Sequence, residues 1–148
     1  MDFDYERFNS IPEDDILEGI CKLHREIFGQ SDHLITQMKR KSQLLFNLSL
    51  NGRKVIGYKI GYPLDEEKFY SWIGGVDPAY RTQGIASMLM EKQHTHLRAN
   101  GFKVVQTKTK NKWRSMLILN IKNGFNIIGT YTDDEGEPKI ILEKRLTN

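Results

Sequence analysis

Cysteine is almost absent from this chain. Cys21 is the only one in 148 residues, so no internal disulfide can form and the fold must rest on a buried core. Long apolar runs are missing too. Nothing approaches the roughly 20 consecutive apolar residues that a helix needs to cross a bilayer. The opening residues, Met1-Asp2-Phe3-Asp4-Tyr5-Glu6, have neither the basic start nor the apolar stretch of a secretory signal. The expectation is a cytoplasmic protein without membrane contact. There is no internal repeat, low-complexity segment or linker, so 1–148 reads as a single domain. No Gly-Lys-Ser/Thr follows a glycine-rich turn, which excludes a Walker loop, and the first glycine of a dinucleotide fingerprint is missing. His94 and His96 resemble a metal pair, but no ligand cluster accompanies them, so no metal is expected.

What is present suits a folded domain: 39% hydrophobic and 28% charged residues, with a net charge of only +3. The charge is unevenly spread. From Met1 to Ile35 nine acidic residues face three basic ones, whereas from Arg81 to Arg114 eight basic residues face Glu91 alone. Two surfaces of opposite sign imply two kinds of partner.

Periodicity orders the chain. Phe3 to Phe8 reads as an edge strand. Ile16, Ile20, Leu23 and Ile27 give an amphipathic helix from Pro12 to Phe28, with Ser10 as its N-cap and Gly29 as its stop. A shorter helix opens at Ser31-Asp32. Strands follow at Gln43–Leu50 and Val55–Tyr62, joined by the hairpin signal Asn51-Gly52, and then at Lys68–Val76. A helix from Gly84 to Ala99 leads to a strand from Phe102 to Thr109, which the crossover makes parallel to its predecessor. A helix from Asn111 to Lys122 and a hairpin of Phe125–Tyr131 with Lys139–Leu146 complete the order. The fold class is α/β: a mixed, mostly antiparallel central sheet of six to seven strands flanked by about four helices.

The stretch from Gly74 to Met90 carries the chemistry. A strand ends at Val76-Asp77-Pro78, and a loop of Arg81-Thr82-Gln83-Gly84-Ile85-Ala86-Ser87 opens a helix. The first N–H groups of a helix lack intrahelical partners and favour negative charge, so small residues there suit a phosphate. Asn120-Ile121-Lys122-Asn123-Gly124-Phe125 ends a second helix some forty residues later.

Together these segments resemble the GCN5-related N-acetyltransferase family, over nearly the whole chain. The resemblance implies acetyl-coenzyme A as co-substrate. Backbone N–H groups of Gln83 to Ala86 would grip its pyrophosphate with help from Arg81, Thr82 and Ser87, while Asn111 and Ser115 would contact the pantetheine or nucleotide end. It also implies that the strand at Gly74-Gly75 splays from its neighbour, so that the backbone N–H near Val76 polarises the thioester carbonyl. The usual Tyr general acid is replaced by Asn120, with Tyr131 as a hydroxyl that could substitute. The usual strand Glu is missing, which leaves Glu26, His24, Glu66 and Glu67 as bases acting through water. The implied activity is direct acetyl transfer to a primary amine, with the acidity of the first helices suggesting a cationic small molecule or a peptide amine. A non-catalytic coenzyme-A-binding sensor is the alternative. Nucleic-acid binding through Lys103 to Arg114 is a third and weaker reading, and a homodimer through the C-terminal strands is common among similar proteins.

Overall fold

The computed structural model describes residues 3–146. Five residues, β1 (Asp4–Phe8), lie along one margin of the sheet, paired antiparallel with β2 (Leu45–Asn51). The Asn51-Gly52 turn returns β2 into β3 (Lys54–Pro63), and a second turn leads to β4 (Lys68–Val76), giving the expected meander. β5 (Val104–Lys110) pairs parallel with β4, and β7 (Pro138–Arg145) runs antiparallel between β5 and β6 (Asn126–Thr132). The seven strands follow the order β1-β2-β3-β4-β5-β7-β6.

Helices cover both faces. On one face α1 (Asp14–Phe28) and α2 (Leu34–Lys39) bury Ile16, Ile20, Leu23, Leu34 and Met38 against Phe46, Leu48, Tyr58 and Ile60. On the other, α3 (Ile85–Ala99) sets Ile85 and Leu89 on Ile56, and Met90 and Leu97 beside Phe69, Val105, Phe125 and Leu142. The short helix α4 (Arg114–Lys122) packs next to α3, with Leu117 and Leu119 against that second core. Among the described residues no helix is long and apolar enough to cross a membrane.

Helix starts differ from the sequence expectation. α1 begins at Asp14 with Glu13 at its N-cap and no side-chain cap bond, so Ser10 does not cap it. Glu13 and Asp15 are instead held by Arg53 at the tip of the β2–β3 hairpin. α2 begins at Leu34 and α4 at Arg114, leaving Ser31, Asp32 and Asn111 in turns.

Phe69 is 2% exposed and meets Phe102 edge-on at 5.6 Å, two positions before the last residue of β4 paired with β5. Phe69→Ala is therefore expected to cost about 3–5 kcal/mol in urea unfolding. The control Ile127→Ala, on a side chain 53% exposed, should stay within about 0.5 kcal/mol of wild type.

Candidate functional site

The sheet parts along its middle. β4 and β5 pair only from Lys68↔Val104 to Ser71↔Thr107, although β4 continues to Val76 and β5 to Lys110. β5 keeps its antiparallel partner β7 over its whole length, so one side of it stays bonded while the other opens. Beyond Ser71 the two strands diverge and leave a wedge. Alternate residues of an antiparallel strand present their backbone groups to opposite edges. Asp77 N–H donates to Ile56 O at 2.8 Å, toward β3. The groups of Gly74 and Val76 consequently face the side that β5 has left.

Next to this wedge a loop carries the chain into α3. Asp77 accepts a hydrogen bond from Ala79 N–H at 2.9 Å and fixes the 3-10 turn Pro78–Tyr80, and Arg81 Nε reaches back to Val76 O at 3.3 Å. Thr82 then adopts φ +66° and Gly84 φ +80°. A β-branched residue at positive φ is strained, by about 1–3 kcal/mol, and such strain concentrates at ligand sites. Gly84 occupies the N-cap of α3 with no side-chain cap, and a Cβ added there would meet nothing within 4 Å. Met88 N–H, donating to Gly84 O at 3.0 Å, closes the first intrahelical bond. The preceding N–H groups thus open onto exposed space at the positive end of the helix dipole.

A small cavity at the root of the wedge is lined by Tyr58, Lys59, Gly74, Gly75, Val76, Ala86, Leu89, Met116 and Leu119. On the α1 face of the sheet, Tyr58 OH bonds His24 Nδ1 at 2.7 Å. Burial raises the Tyr58 hydroxyl pKa, with the Cys21 thiol adding to the shift, and burial lowers that of the His24 imidazole from 6.5. His24 is therefore neutral at pH 7 and able to accept a proton. A Cβ on Gly75 would lie 2.6 Å from Ile27 Cδ1 and 3.4 Å from Tyr58 Oη, so only glycine lets α1 and Tyr58 come this close to the parted strand. Phe28, at the end of α1, meets Trp113, before α4, edge-on at 5.0 Å and bridges the two faces. Farther along the α1 face, Tyr62, Tyr70 and Trp72 form an aromatic wall, with Lys41 Nζ 4.6 and 4.7 Å from the Tyr62 and Trp72 rings.

The structure gathers some of the expected site residues and disperses others. Gly74, Val76 and Ala86 meet at the cavity, and Arg81, Thr82, Gln83, Gly84 and Ser87 form the exposed rim of the loop. Ile85 is 2% exposed and packs in the core, so only its backbone is available. Asn111 and Ser115 are exposed around the start of α4. Asn120 is 2% exposed, directly after the cavity-lining Leu119. Glu26 is exposed on α1 and lines nothing, and Tyr131 lies on the outermost strand, 5.2 Å from Lys108 Nζ and outside the cavity. His94 is buried against Phe125, whereas His96 faces Asn100, so the two do not converge. Cys21 is buried, and burial raises its thiol pKa, as packing rather than chemistry demands. Tyr58 and Lys59 are the site residues that sequence reasoning missed. A tyrosine and a lysine side by side in the middle of a mostly apolar strand were the available signal.

The comparisons agree with this geometry. No curated protein matches the chain by sequence. Among solved structures the fold is similar to Ard1 from Thermoplasma volcanium, at a TM-score of 0.84 and 15% identity over 99% of both chains. It is also similar to an aminoglycoside 6'-N-acetyltransferase complexed with coenzyme A (TM-score 0.81, 11% identity, 98% of both chains). The ribosomal-protein-S18-alanine N-acetyltransferase of Escherichia coli gives a TM-score of 0.80 and 16% identity over 98% of this chain and 96% of its own. The family model described as "Acetyltransferase (GNAT) family" matches residues 13–114, from the start of α1 through the parted strands to the start of α4, and the chain belongs to that family.

Proposed function

We propose that this protein transfers the acetyl group of acetyl-coenzyme A to a primary amine by direct attack within a ternary complex. The observation that carries this reading is the opening of β4 from β5 beside the uncapped N-terminus of α3. An extended arm with two amides fits a strand edge whose groups at Gly74 and Val76 lack a neighbour, and a pyrophosphate fits N–H groups at a helix N-terminus. Arg81 adds positive charge at the phosphates, and Asn111 and Ser115 are exposed where the nucleotide end would lie. Val76 N–H would polarise the thioester carbonyl. The amine nitrogen forms a bond to that carbon, the C–S bond breaks, and the electron pair leaves with sulfur.

The acceptor would arrive over the α1 face, along Tyr62, Tyr70 and Trp72. Of the acids that suggested a cationic acceptor, Glu13 and Asp15 hold Arg53 at the hairpin tip. Two neighbours in fold are named for amine acetylation, of an aminoglycoside and of a ribosomal-protein alanine, which supports an amine acceptor of either small-molecule or peptide origin. His24 is the base this face offers, neutral and linked to Tyr58 beside Gly75. A homodimer through the C-terminal strands remains a proposal, supported by Ile127 and Ile128 exposed on β6. The second reading, a coenzyme-A-binding module without turnover, is favoured by Asn120 at the usual Tyr position and by the lack of a carboxylate on β4.

Thiol release from acetyl-coenzyme A across a panel of amines separates the two readings: amine-stimulated release supports the transferase, and tight binding without release supports the module. Gly84→Val forces a β-branched residue to φ +80°, costing about 1–3 kcal/mol, and also places methyl groups among the phosphate-facing N–H groups. Its affinity for coenzyme A in calorimetry should fall by about tenfold or more, and an unchanged affinity would remove the loop from the site. Because burial lowers the His24 pKa from 6.5, kcat/KM should rise with pH through a midpoint below 6.5 and then level off. His24→Gln should abolish that acid limb and cost about a hundredfold in rate.

A further inference from the structure

The cavity at the root of the wedge holds one side chain that is charged at neutral pH, Lys59. It comes from β3, opposite Gly74 across the strand pair, and a Cβ on Gly74 would sit 3.8 Å from Lys59 Cγ, so the lysine stem lies over the glycine toward α3 and α4. Lys59 is 9% exposed and takes part in no ion pair among the described residues. An ammonium group buried without a counter-ion is costly, and a fold keeps one only where something offsets the cost.

Its immediate neighbours bring no negative charge. From α3 come Gln93 and His94, 0% and 2% exposed, with Gln93 Oε1 and His94 Nε2 lacking any partner. Burial, together with Lys59, Lys144 and Arg98, pushes His94 down to about 3, so it stays neutral. From β7, Lys144 Nζ lies 3.4 Å from His94 Nδ1, and from α4 the nearby Met116, Leu119 and Asn120 bring no charge. β2 adds the uncharged Asn47 opposite Lys59, and β4 adds Gly74 and Val76. Tyr58, next to Lys59 on β3, turns to the α1 face and bonds His24. Positive charge with no carboxylate to balance it is complementary to an anion that forms during a reaction. The transfer proposed above produces such an anion, the thiolate of coenzyme A.

We propose that Lys59 is a catalytic residue that pairs with the coenzyme A sulfur, holding the departing thiolate and protonating it where Asn120 offers no acidic hydroxyl. The assignment rests on the reading of the wedge as the acetyl-coenzyme A site. As the C–N bond forms, the acceptor nitrogen gives up its extra proton to the base on the α1 face. As the C–S bond breaks, its electron pair goes to sulfur, which takes a proton from the Lys59 ammonium. Lys59 becomes the neutral amine and recovers a proton from water after the thiol leaves. Burial brings the Lys59 pKa down to about 8, which leaves it charged at pH 7 to hold the thiolate while making it a stronger acid than an exposed lysine.

The test needs no acceptor. The full-length protein is titrated with coenzyme A while thiolate absorbance in the ultraviolet is followed against pH. An opposite charge within about 4–6 Å lowers an acid's pKa by about one unit or more, so the bound thiol should ionise near 7.5 or below rather than at about 8.5. Lys59→Met should return it to the free value or above, Lys59→Arg should keep it low, and all three proteins should bind desulfo-coenzyme A equally. A wild-type bound thiol that ionises no lower than the free one overturns the proposal without recourse to any variant. Equal loss of coenzyme A and desulfo-coenzyme A in Lys59→Met overturns it too, by assigning Lys59 to the phosphates or to cavity shape. Failure of wild type to bind coenzyme A at all would remove the transferase reading itself, a different failure. Folding is checked in the unliganded protein. The folded pKa of about 8 lies below the unfolded 10.5, so between them the unfolded chain holds more protons and stability rises with pH. Wild type should show that rise from pH 8 to 10, and Lys59→Met should show a smaller one, with the part due to the lowered Lys144 remaining, and melt no lower at pH 7.

Discussion

The molecule depends on one interruption, the parting of β4 from β5 after Ser71 and Thr107. A strand that gives up its neighbour in mid-sheet leaves backbone donors and acceptors without partners, which a fold avoids unless something else satisfies them. Here the interruption is stabilised from both sides. β7 stays bonded to β5 along its whole length, so β5 can lean away without becoming a free edge. β4 keeps β3 through a register shift at Ile60/Gly61, which absorbs the change of direction. Phe28 and Trp113 then touch across the opening and tie the α1 side to the α4 side.

Electrostatics follow from the same interruption. The uncapped N-terminus of α3 and Arg81 lie at the outer end of the wedge, and Lys59, Lys144 and neutral His94 at its root, so an anionic ligand meets favourable potential along its length. Two of the acids in the first part of the sequence, Glu13 and Asp15, hold the β2–β3 hairpin to α1. In the basic stretch, Lys103, Lys110 and Lys112 likewise pair with Glu67, Asp133 and Glu137, while Arg81 stands at the loop. Counting charges along a chain cannot separate these roles, because the acids and Arg53 are about forty residues apart.

Much of the fold was legible because period and punctuation agree. Lys68–Ile73 is an apolar and aromatic run, the strand signal continues to Val76 before Asp77-Pro78, and β4 has those bounds. Asn51-Gly52 joins β2 and β3 as its dipeptide suggests. The helix starts were less legible. Ser10 precedes a proline and acids, the usual signature of an N-cap, yet the helix waits until Asp14 while Glu13 turns to Arg53. A tertiary contact outweighed a local preference. In the candidate site, the loop from Arg81 to Ser87 stands out in the sequence because a turn into a helix with exposed N–H groups calls for small residues at fixed spacing. His24 with Tyr58, and Lys59 with Gly74, could not, because each pair is made by strand register and helix docking.

That contrast explains why family membership leaves the acceptor open. In the proposed reading coenzyme A is held mainly by backbone: a strand edge, a helix terminus and the glycines that let a ligand approach them. Such a site survives wide changes in sequence, which is how 11–16% identity can accompany TM-scores of 0.80 to 0.84. The proposed acceptor face is built from side chains instead, Tyr62, Tyr70, Trp72, Lys41 and the His24–Tyr58 pair, and these can change without disturbing the parted strands. The proton-transfer groups follow the same division. With no carboxylate on β4 and no hydroxyl at Asn120, the proposed roles fall to neighbours on β3: Tyr58 turns one way to His24 and Lys59 turns the other way to the cavity. Adjacent residues of a strand point to opposite faces, so β3 can serve the amine on one side of the sheet and the sulfur on the other.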